Sequence, residues 1–373
     1  MPRDSRDPEE GPAPHNLLAM LSEPRSVVKL AIIGVLLLCI IGSFAYVAGW
    51  LSPRLLTPRR FVDGFQQVSG VHPGFRRNHA KGMCISGYFD SNGQGAHLSK
   101  ANLFESGRAT VIGRFSTGGG QPSAADSPTA VRGLGLRFEP RDGQEWRTAM
   151  IDFPVFPFRT PQAFYENLLA SKIDPATGKP DPAKMGAFFA AHPETARPLA
   201  IIKAKPFSSG FANATYSGLN AFWFTNAAGV AMAVRWSMVP VDPFVAANAT
   251  TPANKNYLFD DFIDRVRRGP VQWHLIVTVG QPGDHTDDAT LPWPEAREHV
   301  DVGTVTIDNV EDEAHGNCRD TNFDPLVLPD GITPSDDPLL SARSAVYSVS
   351  FRRREGEKKG PSPIQIPASG KGG

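Results

Sequence analysis

Short runs in which every second residue is apolar, set between clusters of Gly, Asn and Ser, recur along the chain from residue 83 onward. Residues 83–89, 110–115 and 134–138 have this period of two, which turns one face of a strand inward. Residues 222–224, 230–238, 273–279 and 302–307 supply further strands. Residues 60–71, 163–171, 182–192, 256–268 and 338–354 instead repeat apolar positions at helical spacing. Many short strands divided by turn residues predict a barrel with helices around it, not a helical bundle.

The N-terminal region has a different pattern. Residues 30–51 carry no charge and are long enough to cross a hydrocarbon core of about 30 Å as a helix. Tyr46 and Trp50 near one end have the character of interfacial anchors. The pattern divides the chain into a polar tail (1–27), a transmembrane helix (28–51), a proline-punctuated linker (52–59), a main domain (60–354) and a flexible Lys-, Gly- and Pro-rich tail (355–373). A cleaved signal peptide is the alternative, with Ser43-Phe44-Ala45 as its small-x-small site, but the length of the apolar run favours an anchor. Arg25 and Lys29 before the span nearly balance Arg54, Arg59 and Arg60 after it; Arg3 and Arg6 tip the bias toward an inside N-terminus. The main domain is then expected outside the cytoplasmic (inner) membrane, in the periplasm of a Gram-negative cell.

The 373 residues suffice for a substantial core. Lys and Arg total 38, as do Asp and Glu, which excludes the basic excess of a sequence-independent nucleic-acid binder. Of the three cysteines, Cys39 lies in the apolar run, so only Cys84 and Cys318 are able to pair. The general habits of cysteine favour two separate buried thiols over a disulfide, and no spacing suggests a metal site.

Two short stretches carry candidate chemistry. Arg76 and His79 stand three apart near the front, and Tyr347 follows Arg343 by four near the end, on one face of a helix. Tyrosine is a rare ligand of haem iron; as a phenolate it needs a cation beside it, because free tyrosine ionises only near pH ~10. Arg343, one turn away, supplies that cation. A histidine on the other side of a haem moves protons on a bound peroxide. On spacing alone, a buried tyrosine with a paired hydroxyl is the commoner outcome.

Several further motifs bear on the choice. Arg76-x-x-His79-Ala80-Lys81-Gly82 is similar to the distal-histidine signature of the catalase superfamily, and Arg114-Phe115-Ser116-Thr117 to its Arg-Phe-Ser-Thr segment. Val131-Arg132-Gly133 with Phe138, then Phe153-Pro154-Val155-Phe156-Pro157-Phe158-Arg159-Thr160-Pro161, follow in order. Leu258-Phe259-Asp260 through Trp273, Asn322-Phe323-Asp324-Pro325, Leu328-Pro329-x-Gly331-Ile332-x-Pro334-Ser335-x-Asp337 and Arg343-x-x-x-Tyr347 complete the series. From about residue 60 to residue 354 the chain resembles the catalase superfamily in a compact form.

The resemblance implies an α+β fold: an eight-stranded antiparallel β-barrel with peripheral helices, here preceded by one transmembrane helix. It implies haem b, with Tyr347 as iron ligand and Arg343 holding it deprotonated. His79 becomes the distal acid/base and Ser116 its holder. Arg76, Arg114 and Arg354 become partners of the haem propionates, and Phe156 and Phe138 neighbours of the porphyrin. Asp152 falls where true catalases carry a distal asparagine, Phe222 where the family commonly has a histidine, and Asn78 precedes the distal histidine. These departures favour a haem peroxidase that reduces hydrogen peroxide or organic hydroperoxides with an external electron donor, through a ferryl intermediate. The alternatives are a true catalase, a lipid hydroperoxide-converting enzyme, or a haem-binding membrane protein without turnover. The implied partners are peroxide, an electron donor and, through the N-terminal helix, the membrane; assembly into homo-oligomers stays open.

Overall fold

The computed structural model describes residues 24–47, 51, 55–316 and 318–366. The chain divides between Thr57 and Pro58 into two compact units. The first holds one described helix, α1 (Pro24–Val47). Its exposed apolar stretch Val27–Val47 is about 30 Å long at 1.5 Å per residue, the reach of a membrane span, and a signal sequence has the same character. Residues 1–23 of the expected polar tail, the expected anchor Trp50 and linker residues 52–54 lie outside the described residues.

Eight strands of the second unit close into an antiparallel barrel. They are β1 (Gly82–Ser91), β2 (Gly107–Thr117), β3 (Arg132–Glu139), β4 (Trp146–Ile151), β5 (Tyr216–Ser217), β6 (Ala231–Pro240), β7 (Val271–Val279) and β8 (Glu298–Glu311). Each pairs with the next in sequence, and β8 returns to β1, so the barrel leaves no open edge. Phe222–Thr225 and Ile332–Pro334 extend the sheet beside β6. The helices fill the connections: α2 (Pro58–Ser69) before β1, then α3 (Pro161–Ala170), α4 (Pro182–Ala191) and α5 (Ala196–Ala204) between β4 and β5. Helix α6 (Tyr257–Arg268) precedes β7, and α7 (Pro338–Glu355) follows the barrel.

Aromatic side chains fill the barrel. Phe138 stacks on Trp146 at 5.1 Å between centroids, Trp146 meets Trp236 edge-on at 5.0 Å, and Phe115 meets Phe262 at 4.7 Å. Helix α6 buries Leu258, Phe259, Phe262, Ile263 and Val266 along one stripe, each stabilising the fold by roughly 1.5–3 kcal/mol. Helix α7 starts cleanly because the Asp337 carboxylate accepts from Leu339 N at 2.8 Å and Pro338 occupies the first turn.

Four expectations need correction. Strand β4 has no counterpart among the expected strands, because the buried Thr148 interrupts the apolar positions of Trp146 and Met150; its hydroxyl accepts from Trp236 Nε1 at 3.0 Å. Phe138 belongs to the barrel core, about 10 Å along β3 from the residues that face the cavity described below. Residues 355–366, the described part of the tail expected to be flexible, meet the rest of the domain at several points. Ser362 and Ile364 are buried, and Glu357 accepts from Gly74 N at 2.8 Å and pairs with Arg77. Finally, Cys84 and Cys318 form a disulfide, their Cα atoms 5.3 Å apart across a sequence separation of 234. Only folding brings those two positions together.

Candidate active site

A cavity of about 490 Å³ opens where the ends of β2, β3 and β4 meet α7. Its wall is largely apolar, with Phe61 and Phe65 from α2, Phe153, Phe156 and Phe158 after β4, Phe164 from α3 and Phe323 before α7. Such a wall favours a largely apolar guest. Its polar side chains are those of His79, Ser116, Asn78, Asn220, Asn322, Tyr347, Ser350 and the arginines 76, 77, 114, 343 and 354.

His79 sits just before β1 with φ of 53°, a left-handed conformation rare outside glycine. The backbone there is tied down: Ala80 N donates to Gly119 O at 2.9 Å, and Asn78 Oδ1 accepts from Gly119 N at 3.0 Å. Strand register puts Gly82, Ser116, Gly133 and Ile151 in one row across β1 to β4. Ser116 Oγ therefore lies 3.1 Å from His79 Nδ1. Gly133 makes this possible, since a Cβ there would stand 2.8 Å from Ser116 Oγ and 2.9 Å from His79 Nδ1. Burial, followed by the charges of Arg114, Arg76 and Arg343, pushes the His79 pKa down from 6.5 to about 4. The imidazole is neutral at ordinary pH.

Arg343 and Tyr347 lie one turn apart on α7, with the guanidinium carbon 5.9 Å from the centre of the phenol ring. Arg343 is held from behind: it donates to Asn220 Oδ1 and, at 2.8 Å, to Ala149 O. Asn220 Nδ2 in turn donates to Asp337 Oδ2 at 2.7 Å. A line of polar contacts thus runs from the helix cap at Asp337 through Asn220 to Arg343.

The remaining arginines form one edge of the cavity. Glu313 accepts from Arg114 Nε at 2.7 Å and from Arg76 Nη1 at 3.1 Å. Burial acts to raise the Glu313 pKa, but Arg114, Arg76 and Arg319 outweigh it and hold the carboxyl below its usual range. Arg354 is different. It is buried, and its Nε and Nη2 have no hydrogen-bond partner among the described residues. Burial, then Arg114, lowers its pKa to about 10. A buried guanidinium with two nitrogens left without a partner among the described residues, at the edge of an apolar cavity, suits an acidic guest. An apolar slot, a phenol beside a guanidinium, a neutral imidazole and an unmet cation together fit a haem with its two carboxylates.

The structure gathers Arg76, His79, Arg114, Ser116, Phe156, Arg343, Tyr347 and Arg354 around this one cavity. Asp152 and Phe138 are not in its wall. The Asp152 carboxylate accepts from Arg132 N at 2.9 Å and Arg132 Nη1 at 3.2 Å, so it is spent on a buried ion pair. Phe222 packs on Trp236 at 4.6 Å; the polar residue lining the cavity is Asn220, two positions earlier. Of the three departures noted in sequence, only Asn78 reaches the cavity. Asn220, Asp337 and Glu313 escaped sequence reasoning. Asp337 closes a recognised motif, but Glu313, within Glu311-Asp312-Glu313, reads as a solvated acidic loop.

A sequence model of the family described as Catalase matches residues 48–370. A catalase-related peroxidase of Synechococcus elongatus is 38% identical over 301 residues, covering 80% of this chain and 89% of the relative. A catalase-related peroxidase of Mycolicibacterium paratuberculosis is 31% identical over 308 residues, covering 82% and 97%. Among solved structures, a fungal catalase superposes with a TM-score of 0.70 at 21% identity, covering 81% of this chain and 64% of that one. The chain thus spans about two thirds of that catalase.

Proposed function

This chain belongs to the catalase family, and on that premise we propose that it is a haem-dependent peroxidase. It reduces hydrogen peroxide or an organic hydroperoxide with electrons from an external donor. The observation that carries this reading is the convergence of Tyr347 with Arg343 and of His79 with Ser116 on one apolar cavity. The prosthetic group is haem b, and when bound it supplies the iron and porphyrin that accept oxidising equivalents from peroxide and pass them to the donor.

The protein's own groups do the rest. The Tyr347 oxygen would be the ligand of the iron, with the Arg343 guanidinium beside its ring. Asn220 and Asp337 keep Arg343 in place. Ser116 holds Nδ1 of His79, which leaves Nε2 as the base. Nε2 is placed to take a proton from one oxygen of a peroxide in the cavity and to return it to the other, while a bound haem would supply the two electrons that part the oxygens. Arg354, with Arg76 and Arg114 beside it, receives the propionates, and the Phe-rich wall keeps bulk water out.

Helix α1, long and apolar enough for a membrane span, and the Cys84–Cys318 disulfide support a membrane-anchored protein with its main domain in an oxidising compartment such as the periplasm.

The test is an optical spectrum of the purified protein before and after peroxide, with oxygen evolution measured with and without a phenolic donor. Peroxide consumed only when the phenol is present, without oxygen release, supports a peroxidase. Stoichiometric oxygen release without donor identifies a catalase, and a protein without a haem spectrum ends the proposal.

A further inference from the structure

On the haem reading above, we propose that the Cys84–Cys318 disulfide is a positioning element of the cofactor edge: it anchors the 312–323 loop so that Glu313 aims Arg76 and Arg114 at the cavity. The loop bears no regular structure of its own where it is described, so its course depends on what ties it down. Cys84 lies on β1 directly opposite Arg114 on β2. Both half-cystines are fully buried, in a cluster with Ile112 and the cavity residue Phe323. The loop backbone rests on the bridge itself, for a Cβ on Gly316 would stand 2.7 Å from Cys84 Sγ.

From this anchored loop three oxygens hold Arg76. Its Nη2 donates to Cys318 O at 3.1 Å and Thr321 O at 2.9 Å, and its Nη1 to Glu313 Oε1 at 3.1 Å. The same carboxylate takes Arg114 through Nε at 2.7 Å and Nη2 at 3.2 Å. A loop free to shift by an ångström would lose those contacts and let both guanidinium groups reorient. Charge-assisted pairs depend steeply on such geometry. The covalent link removes that freedom at a point next to the two groups that need it least.

The experiment compares the holoprotein with the double variant Cys84→Ala/Cys318→Ala, the single variant Glu313→Gln, and the triple combination. Haem loss to apomyoglobin is followed by the Soret band, with melting temperature alongside. The cysteine pair and E313Q are each expected to speed haem loss roughly tenfold or more. The triple variant is expected to lose haem no faster than either, because both changes act through one contact set. A lower melting temperature with unchanged haem loss, or effects that multiply in the triple variant, would assign the bridge a purely structural role. E313Q alone decides the Glu313 contribution should the cysteine variant fail to fold. If the wild-type protein takes up no haem, the haem reading fails, and hydrogen exchange at 312–316 and 318–323 still decides the positioning: faster exchange in the cysteine variant supports it, and equal exchange overturns it.

Discussion

Nδ1 of His79 and Oγ of Ser116 stand 3.1 Å apart, and this contact fixes which ring nitrogen faces the cavity. Replacing the imidazole by His79→Ala is expected to leave haem bound while slowing the reaction with peroxide by roughly a hundredfold or more. Ser116→Ala, which frees the ring without removing it, should slow it about fivefold to tenfold. Stopped-flow spectra after mixing with peroxide measure both; an unaltered rate in the His79 variant would exclude it from proton transfer.

The lowered pKa of His79 sets the acid limit. The ring must be neutral to accept a proton, so the peroxide rate is expected to stay level down to about pH 5 and to fall as pH drops through about 4. Stability follows the same direction. Between pH 6.5 and about 4 the unfolded chain holds the proton that the folded site refuses. The contribution of His79 to stability therefore declines as pH falls through that window. Rate–pH profiles check the first expectation and urea midpoints across the window the second.

Tyr347→Phe removes the only oxygen of that side chain. It is expected to abolish or greatly weaken haem binding and to change the visible spectrum of any haem retained. A spectrum identical to wild type would remove Tyr347 as ligand.

Asn220 joins the cap of α7 to Arg343. Asn220→Ala leaves Arg343 with the carbonyl of Ala149 alone among these contacts and, on the proposed role of Tyr347, is expected to lower haem affinity roughly tenfold. Haem titration of the variant gives the number; unchanged affinity would show that the Ala149 contact suffices.

Gly133→Ala places a methyl against both partners of the His79–Ser116 pair. Overpacking of this kind costs roughly 1–3 kcal/mol. The expected result is slower reaction with peroxide and retained haem, since Gly133 lies at neither the arginine edge nor α7. A wild-type rate would mean that the pair yields without cost.

Much of this was legible in the chain before folding. Arg343 and Tyr347 belong to one helix, so a spacing of four fixes their common face. The Arg76-to-Gly82 motif leads into β1 and the Arg114-to-Thr117 motif ends β2, and the pairing of these two strands holds them together. The barrel itself follows from period-two runs, although β4 stayed hidden because a buried hydroxyl, satisfied by Trp236, looks polar in sequence.

What stayed hidden depends on contacts between distant segments. Asp152 lies beside the cavity-lining Phe153 in sequence, yet its carboxylate turns to Arg132, because a buried charge takes the nearest cation. Glu313 belongs to the site because the 312–323 loop folds back beside β2, and the same return brings Cys318 to Cys84. Residues 355–366 look like a loose tail until Ile364 finds the core and Glu357 finds Arg77. The sequence by itself determined the chemical inventory and the elements that carry it, because those rest on residue type and short-range periodicity. Only the tertiary structure decided which charges are paired, which are left over, and which side chains reach the cavity, since each depends on neighbours that the chain order does not name.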